Sequence, residues 1–473
     1  MASDIKFGTD GWRGVIADDY TFANVRRVAH AIACYVHKHE DRAHGVLVAY
    51  DTRFGSRRFA ELTSEALAAS GLRVQLAREI TPTPALSYMV KKLGAAGGVM
   101  ITSSHNPASW NGVKFKATYG GSATPAIISL IESYIDAPKV EKGGGAVVEA
   151  DFKTPYVEAL TTFVDVKRIA DAKMKFAVDV MYGAGRGVVA GIFRNYGIEF
   201  VEIRNEINPL FPGINPEPIM PHVQALLDCV VREKCHGGFV TDGDADRIGA
   251  ATEDGSFVDS HKCYAVLLQW LLECRPQWSG VVTRAFNTTQ MLDRIARAHG
   301  RELIEHGIGF KYVADIVLSG REVLIGGEES GGIGIPRFLP ERDGILNSLL
   351  LASAMAEQGK SLGQLVEGLQ STYGRHYYDR RDLRLTEEIK QNALRRCAAG
   401  LKQIGRYKVT HSADLDGYKF FLDAPNNKGR DAEAWVLVRG SGTEPLLRVY
   451  CEAATQEIVE EILGATVELD QLS

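Results

Sequence analysis

The feature that most constrains the fold is an alternation of short apolar runs with segments of helical periodicity. The run at 45–50 (GVLVAY) precedes apolar residues at helical spacing over 59–70, and a second strand-like run follows at 72–76. The same pattern recurs from residue 175 and again from residue 280. Because apolar strands that alternate with amphipathic helices build layers of helix against sheet, the sequence predicts an α/β architecture.

The length of 473 residues is sufficient for several domains, and the pattern divides them into four. Three α/β domains are predicted at 1–147, 148–253 and 254–370. The last segment, 371–473, differs, because it has a helical pattern over 385–404, strand-like runs at 434–439 and 446–451, and a helical pattern after residue 455. We therefore predict a smaller α+β domain there. A diverged three-fold duplication of the α/β unit remains open.

The composition excludes several classes of function. The 54 Lys and Arg residues against 59 Asp and Glu give a net charge of -5, which does not favour a nucleic-acid partner. The seven cysteines form no CxxC pair, so neither a disulfide framework nor a zinc knuckle is indicated. The first residues lack the apolar segment of a secretion signal, and no run is apolar enough for a membrane helix. We expect a cytoplasmic protein without a membrane partner.

The first candidate loop is TSSHNP at 102–107, which follows an apolar strand at 98–101. We expect this loop to be exposed, with Asn111 and Gly112 forming a hairpin turn after it. Ser104 could act as a nucleophile or a phosphate carrier if His105, Lys114 or a metal ion polarises it. The alternative is an ordinary Asn-Pro turn.

The second candidate loop is DGDADR at 242–247. Asp242, Asp244 and Asp246 can converge on one hard cation, which is the ligand set that Mg²⁺ prefers. A calcium EF-hand is the rival, since Glu253 stands at its twelfth position. However, Arg247 takes the sixth position, where that loop needs glycine, and the flanks are strand-like. We therefore predict magnesium, with a solvated acidic turn as the alternative.

Two glycine-rich loops complete the set. Carboxylates and a serine in GGEESGG at 326–332 suit sugar hydroxyls better than a phosphate. The loop RGSGTEP at 439–445, with Arg448 beyond it, offers backbone N–H groups, hydroxyls and two guanidinium groups to a phosphate dianion. Solvated turns are the alternatives for both loops. A third glycine cluster, GAGRG at 183–187, has the wrong spacing for a dinucleotide fingerprint, and we interpret it as close packing.

The combined motifs resemble those of the α-D-phosphohexomutase family, which includes phosphoglucomutases and phosphomannomutases. FGTDGWRG at 7–14 is followed by TSSHNP, DGDADR, GEESGG and RGSGTEP in the order that the family has. The resemblance implies four domains around a central cleft, three of related α/β topology and a smaller fourth, each contributing one loop. It also implies a small-molecule sugar phosphate as the partner.

The resemblance implies a role for individual residues. Ser104 would be the phosphoserine, and Asp242, Asp244 and Asp246 would hold Mg²⁺ together with an oxygen of that phosphate. Glu328 and Ser330 would bind the sugar O3 and O4. The phosphate that is not transferred would be bound by Arg439, Ser441, Gly442, Thr443 and Arg448. The further candidates are His105, Lys114, Arg13 and Arg247 for the reacting phosphate, and Lys311 and His306 for substrate contact, with a core or surface role as the alternative for His306.

The implied activity is the interconversion of hexose 1-phosphate and hexose 6-phosphate through hexose 1,6-bisphosphate, which also serves as activator. We expect glucose to be preferred, because GEES resembles the phosphoglucomutase branch. Gly332 stands where phosphomannomutase-type members have histidine, and Arg342 stands where the phosphoglucomutase branch has lysine. A mannose-preferring or dual-specificity mutase is the main alternative. A magnesium-dependent sugar phosphatase and a non-catalytic sugar-phosphate sensor are more remote.

Overall fold

The computed structural model describes residues 5–8, 10–138, 140, 143–440 and 446–468. The chain divides into two compact units. The first unit combines Met1–Val281 with Gly309–Gln364, and the second combines Val282–Ile308 with Leu365–Ser473. Each unit is therefore assembled from segments that are distant in the sequence.

The first α/β domain is built on a six-stranded sheet in the order β1-β5-β4-β2-β3-β6. Strands β2, β3, β4 and β6 are parallel, whereas β5 runs antiparallel to β4 and to β1. The strands are β1 (Trp12–Val15), β2 (Val46–Tyr50), β3 (Val74–Ala77), β4 (Gly98–Ile101), β5 (Trp110–Lys116) and β6 (Val147–Ala150), and the helices are α1 (Phe22–His39), α2 (Ser56–Ala69), α3 (Thr83–Leu93) and α4 (Pro125–Ser133).

The predicted hairpin turn at Asn111 and Gly112 is wrong, because both residues lie inside β5. They pair with Gly14 and Arg13 of β1. A Cβ on Gly112 would stand 2.6 Å from the carbonyl oxygens of both Trp12 and Thr102. The glycine is thus needed for close backbone approach on both sides of β5, and this tertiary pairing overrides the local turn preference of Asn-Gly.

The second domain has a five-stranded sheet in the order β11-β10-β9-β7-β8. Its elements are α5 (Lys153–Phe163), α6 (Val166–Asp171), β7 (Lys175–Asp179), α7 (Val188–Tyr196), β8 (Glu199–Ile203), α8 (Gln224–Arg232), β9 (Gly237–Thr241), β10 (Ile248–Thr252) and β11 (Phe257–Val258). The DGDADR loop joins the antiparallel strands β9 and β10, so the EF-hand alternative, which requires flanking helices, is excluded. Gly183 is a close-packing glycine, since a Cβ there would lie 2.7 Å from the carbonyl oxygen of Gly243.

The third domain follows with four strands and five helices among the described residues. These are α9 (Ser260–Cys274), β12 (Val281–Ala285), α10 (Met291–Ala298), β13 (Leu303–His306), α11 (Lys311–Leu318), β14 (Val323–Gly327), β15 (Ile333–Gly334), α12 (Gly344–Gln358) and α13 (Leu362–Tyr373). Strand β12 runs parallel to β13, and β14 runs antiparallel to β15. The GEESGG turn connects β14 to β15.

The C-terminal domain is α+β, as predicted. Its sheet is antiparallel in the order β16-β21-β20-β19-β18-β17. The elements are β16 (Tyr377–Arg384), α14 (Glu387–Ala398), β17 (Gln403–Ile404), β18 (Tyr407–Ala413), β19 (Tyr418–Leu422), β20 (Ala434–Gly440), β21 (Leu446–Ala453) and α15 (Gln456–Glu468). The helix predicted over 385–404 is too long: it ends at Ala398, because Gly400 turns the chain with φ +85°. Among the residues that the structure describes, no helix has both the length and the apolar character that crossing a membrane requires.

Candidate active site

Three buried aspartates dominate one loop of the first unit. Asp242, Asp244 and Asp246 each offer a carboxylate oxygen, and these oxygens all lie within 4.8 Å of one another. The loop curls around the first of them, because Asp242 Oδ1 accepts the backbone N–H groups of Asp246 at 3.0 Å and Arg247 at 3.1 Å. The tight β9–β10 connection therefore makes alternate side chains converge.

The chemistry of this acid set fits a hard divalent cation. Burial, followed by the charges of Asp244 and Asp246, raises the pKa of Asp242 well above its usual range. The Oδ1 atoms of Asp244 and Asp246 are buried and accept no hydrogen bond from the described residues. Buried carboxylate oxygens that repel one another and lack donors match what Mg²⁺ requires of its ligands.

Ser104 lies directly against the acid set. Its Oγ donates a hydrogen bond to Asp242 Oδ2 at 2.7 Å, and its backbone N–H donates to Thr102 Oγ1 at 2.9 Å. The residue adopts a left-handed conformation with φ +49°. The expectation of an exposed loop is wrong at this residue, which is fully buried, because the aspartate loop covers it. His105 Nδ1 stands 3.4 Å from Ser104 Oγ.

Lys114 enters the acid set from β5. Its Nζ donates to Asp244 Oδ2 at 2.8 Å and Asp246 Oδ2 at 3.0 Å, and it forms an ion pair at 3.0 Å with Asp10. Burial alone would lower the pKa of Lys114, but these three carboxylates outweigh it and hold the pKa well above its usual range. Lys114 therefore acts here as a fixed positive charge. Asp10 belongs to the FGTDGWRG motif, but sequence reasoning did not single it out.

Arg342 is a second cation that the sequence analysis noted without placing. Its guanidinium contacts Asp10, lies 3.0 Å from Asp246 Oδ2, and lies 3.4 Å from an oxygen of Glu328 and of Glu341. It thereby connects the acid set to the GEESGG turn. No local pattern reveals this contact, since 332 residues separate Asp10 from Arg342.

Two further arginines that were predicted as site residues, Arg13 and Arg247, lie beside the same loops. Arg13, in β1, donates through Nη1 to Asn106 Oδ1 at 2.7 Å, and burial lowers its pKa. Arg247 Nε stands 3.8 Å from Asp242 Oδ2 and 3.9 Å from Asp246 Oδ1. These distances permit electrostatic attraction but are too long for hydrogen bonds.

The GEESGG turn presents a buried carboxylate. Glu328 N–H donates to the carbonyl of Gly332 at 3.0 Å, and burial raises the pKa of the Glu328 side chain. Ser330 is half-buried on the same turn. Lys311 lies at the start of α11, with its Nζ 5.4 Å from the Tyr312 ring centre. No described contact joins Lys311 to Glu328 or to the three aspartates.

The second unit holds the remaining predicted residues. Arg439 in β20 and Arg448 in β21 are direct cross-strand partners. Arg439 Nε donates to Asp416 Oδ1 at 2.9 Å, and Arg448 Nε lies 3.8 Å from Asp382 Oδ1. Ser441, Gly442 and Thr443 fall outside the described residues. Burial lowers the pKa of His306 to about 4.

Four family profiles match the chain in order. They are the phosphoglucomutase/phosphomannomutase alpha/beta/alpha domains I, II and III, over residues 4–142, 154–255 and 259–373, and the C-terminal domain over 408–469. The chain belongs to the phosphoglucomutase/phosphomannomutase family. The predicted resemblance is thereby confirmed, together with the fold class of three α/β domains and a smaller C-terminal domain.

Similar proteins span the whole length of this phosphoglucomutase/phosphomannomutase family member. A phosphoglucomutase/phosphomannomutase of Thermococcus kodakarensis is 28% identical over 98% of both chains. A phosphoglucosamine mutase of Caldicellulosiruptor bescii is 30% identical over 98% of both. A crystal structure from Thermus thermophilus, provisionally named a phosphomannomutase, is 36% identical, covers both chains fully and superposes with a TM-score of 0.86. The protein is therefore a phosphomutase, and its relatives differ in the sugar that their names give.

Proposed function

We propose that the protein interconverts hexose 1-phosphate and hexose 6-phosphate, with Ser104 as the carrier of the phosphoryl group. The observation that carries this proposal is the 2.7 Å hydrogen bond between Ser104 Oγ and Asp242 Oδ2. A hydroxyl that directly contacts a cation-binding acid set is suited to exchanging a phosphoryl group, because the developing negative charge can be neutralised there.

The proposed reaction has two transfers. The P–O bond to Ser104 breaks while a free hydroxyl of the hexose 1-phosphate forms a new P–O bond, and that hydroxyl loses its proton. The resulting hexose 1,6-bisphosphate turns over, and its other phosphate returns to Ser104. Bound hexose 1,6-bisphosphate would also activate an enzyme whose serine is unphosphorylated.

The chain's own residues would bind and orient the reactants. Asp242, Asp244 and Asp246 would hold Mg²⁺, which supplies charge neutralisation at the phosphoryl group when bound. Lys114, Arg342 and Arg247 supply further positive charge, as does Arg13 beside Asn106. Glu328 and Ser330 would bind sugar hydroxyls. The distal phosphate would be bound by Arg439, Ser441, Gly442, Thr443 and Arg448, and Lys311 is a further substrate contact.

Proton transfer would fall to His105, which lies beside the serine. His105 Nδ1, at 3.4 Å from Ser104 Oγ, is close enough to exchange a proton after a small movement.

Glucose 1-phosphate is the proposed preferred substrate. The GEES pattern of the third loop resembles the phosphoglucomutase branch, and Gly332 replaces the histidine of phosphomannomutase-type members, whereas Arg342 stands where the phosphoglucomutase branch has lysine. Residues that bind O3 and O4 do not read the substituent at C2, however, and the relatives' names include mannose and glucosamine phosphates. Mannose 1-phosphate and glucosamine 1-phosphate are therefore the competing substrates.

The test is ³¹P NMR of the enzyme with Mg²⁺ and a trace of glucose 1,6-bisphosphate. Glucose 1-phosphate, mannose 1-phosphate and glucosamine 1-phosphate are supplied in separate tubes. We expect conversion to the 6-phosphate, fastest for glucose, and loss of conversion in Ser104→Ala but not in the matched control Ser103→Ala. Faster conversion of another sugar would overturn the glucose preference. Release of inorganic phosphate alone would indicate a phosphatase, and no reaction at all would indicate a sensor.

A further inference from the structure

One arginine outside the sequence motifs, Arg53, binds the loop that contains Ser104, which we call the serine loop. Arg53 follows β2, and its side chain is buried. Its Nη2 donates to the carbonyl oxygens of Ser104 at 2.7 Å and Asn106 at 2.6 Å. Its Nη1 donates to the carbonyls of Pro107 at 2.8 Å and Trp110 at 3.1 Å. A single guanidinium thus fixes four main-chain carbonyls of one loop, which its planar fork of donors allows and an ammonium does not.

The guanidinium is itself held in place. Its Nε lies 3.4 Å from Asp51 Oδ2, and the Phe211 ring centre lies 5.0 Å from the guanidinium carbon. The other oxygen of Asp51 accepts the backbone N–H of Arg53 at 3.0 Å and Ser56 Oγ at 2.7 Å. Because Ser56 begins α2, Arg53 is anchored to the end of a strand and the start of a helix, which are the rigid parts of the domain.

The contacts that Arg53 makes with the loop affect the backbone conformation of Ser104. A non-glycine residue with φ +49°, as in Ser104, has an unfavourable backbone conformation that persists only when its surroundings enforce it. The Ser104 carbonyl lies between Arg53 and Gly243, and a Cβ on Gly243 would approach it to 2.4 Å. Arg53 and the aspartate loop therefore hold the peptide after Ser104 from two sides, while its Oγ faces Asp242.

We propose that Arg53 is a positioning residue for phosphoryl transfer. It fixes the carbonyls of the serine loop, so that Ser104 Oγ keeps its orientation toward the acid set. This inference rests on the proposed role of Ser104 as the phosphoryl carrier. Arg53 makes its contacts with main-chain atoms of the loop, so its loss slows transfer and leaves the binding of sugar phosphate unchanged.

The test is Arg53→Lys, which keeps the positive charge beside Asp51 but cannot span four carbonyls. For the hexose phosphate that the wild type converts, kcat is expected to fall about a hundredfold, the effect of misplacing a reacting group by about 1 Å. The Kd of the 6-phosphate for the unphosphorylated enzyme, measured by calorimetry, is expected to match the wild type. The matched control is Arg57→Lys, an exposed arginine on α2 that pairs with Glu61, and it should keep wild-type kcat.

The outcomes separate the two proposals. If the wild type shows no mutase activity, the proposed function itself fails. If the wild type is active and Arg53→Lys keeps its kcat, or loses sugar-phosphate affinity in proportion, the positioning role is overturned. Should Arg53→Lys melt at a lower temperature than the wild type, Asp51→Asn with Arg53→Gln replaces the buried pair by neutral amides, which avoids an unpaired buried charge. The same loss of kcat at unchanged Kd is required of that variant.

Discussion

At the scale of single residues, the three carboxylates of the aspartate loop repel one another, and a bound cation would reduce this repulsion. Three buried carboxylates hold oxygens within 4.8 Å of one another, and the cations beside them in the described part of the chain include Lys114, Arg342 and Arg247. Burial and the neighbouring carboxylates still raise the pKa of Asp242, so a further positive charge would stabilise the ionised form of this residue. The stability of the protein should therefore depend on magnesium.

Magnesium is expected to raise the melting temperature of the wild type and not that of Asp242→Asn. At a concentration a hundred times the Kd, the binding would add about 2.7 kcal/mol to the free energy of unfolding. Without the metal, Asp242→Asn should melt at or above the wild-type temperature, because it removes one of three repelling carboxylates. Asp228→Asn, on the exposed face of α8, is the control and should respond to magnesium as the wild type does. A magnesium response that survives in Asp242→Asn would contradict the assignment.

Gly332 and Arg342 depend on each other, because the side chain of Arg342 packs directly against Gly332. A Cβ on Gly332 would lie 2.3 Å from Cδ of Arg342, so the arginine occupies the space that a side chain at 332 would take. Phosphomannomutase-type members have a histidine at position 332. Because Gly332 has no side chain, Arg342 has the space to lie among Asp10, Asp246 and Glu328.

Gly332→Ala is therefore expected to displace Arg342. The overpacking should lower the free energy of unfolding by about 1–3 kcal/mol, and the displaced guanidinium should lower kcat/KM by about a hundredfold. Gly368→Ala, where an added Cβ meets nothing within 4 Å, is the matched control. Wild-type kcat/KM in Gly332→Ala would show that Arg342 is not needed where it lies.

At the scale of elements, α12 begins with a buried carboxylate. Asp343 caps the helix by accepting the backbone N–H of Leu346 at 2.8 Å, and both of its oxygens accept the Tyr156 hydroxyl. Burial raises the pKa of Asp343 to about 7. The folded protein therefore holds this proton more tightly than the unfolded chain does.

The sign of the pH dependence follows from that shift. The contribution of Asp343 to the free energy of unfolding is complete below its ordinary pKa of 3.8 and is lost as the pH rises through about 7. Asp343→Asn, which does not titrate, should therefore gain stability relative to the wild type across this window, by at most about 1.4 kcal/mol per pKa unit. Melting temperatures at several pH values test this, with the exposed cap Asp165→Asn of α6 as control. A difference between wild type and Asp343→Asn that is independent of pH would refute it.

The two arginines of β20 and β21 suggest how the second unit would bind a phosphate. Like charges directly opposite on neighbouring strands repel each other, and Asp416 and Asp382 offset part of this repulsion. A dianion near Arg439 and Arg448 would offset more of it. Arg448→Gln should therefore raise KM for the hexose phosphate about tenfold, the value of one charge-assisted hydrogen bond, without lowering the melting temperature. Arg395→Gln on α14 is the exposed control. An unchanged KM in Arg448→Gln would remove this residue from the phosphate site.

Local sequence signals predicted the elements well where a strand or helix depends on its own residues. The strands before the TSSHNP and DGDADR loops are present, as is the helix that begins after Gly187. The signals failed at Asn111-Gly112 and beyond Ala398, where strand pairing and a left-handed glycine decide the structure. They also gave no role to Asp10 or Arg53, because the contacts of these residues are made by chain segments far apart in the sequence.

At the scale of the whole molecule, the motif order was sufficient to predict the family and the four-domain organisation. The boundaries at 147, 253 and 370 remain predictions, and the structure adds that the second compact unit includes a segment of the third domain, Val282–Ile308. Within that unit, Arg294 donates to the carbonyl of Tyr373 at 2.8 Å, and the backbone N–H of Gln290 donates to Glu452 at 3.0 Å. Sequence patterns do not reveal such grouping, because it depends on which surfaces pack together after the elements have formed.

The central claim is that Ser104 carries the phosphoryl group during turnover. The most direct measurement is peptide mass spectrometry of enzyme charged with glucose 1,6-bisphosphate that carries isotopically labelled phosphoryl groups and then chased with the unlabelled hexose 1-phosphate that it converts. We predict one labelled phosphate on the peptide that contains residues 102–107, located on Ser104, and its transfer to the sugar during the chase while an unlabelled phosphate from the sugar takes its place. A peptide that is never phosphorylated, or a label that remains on Ser104 while the sugar is converted, would contradict the account.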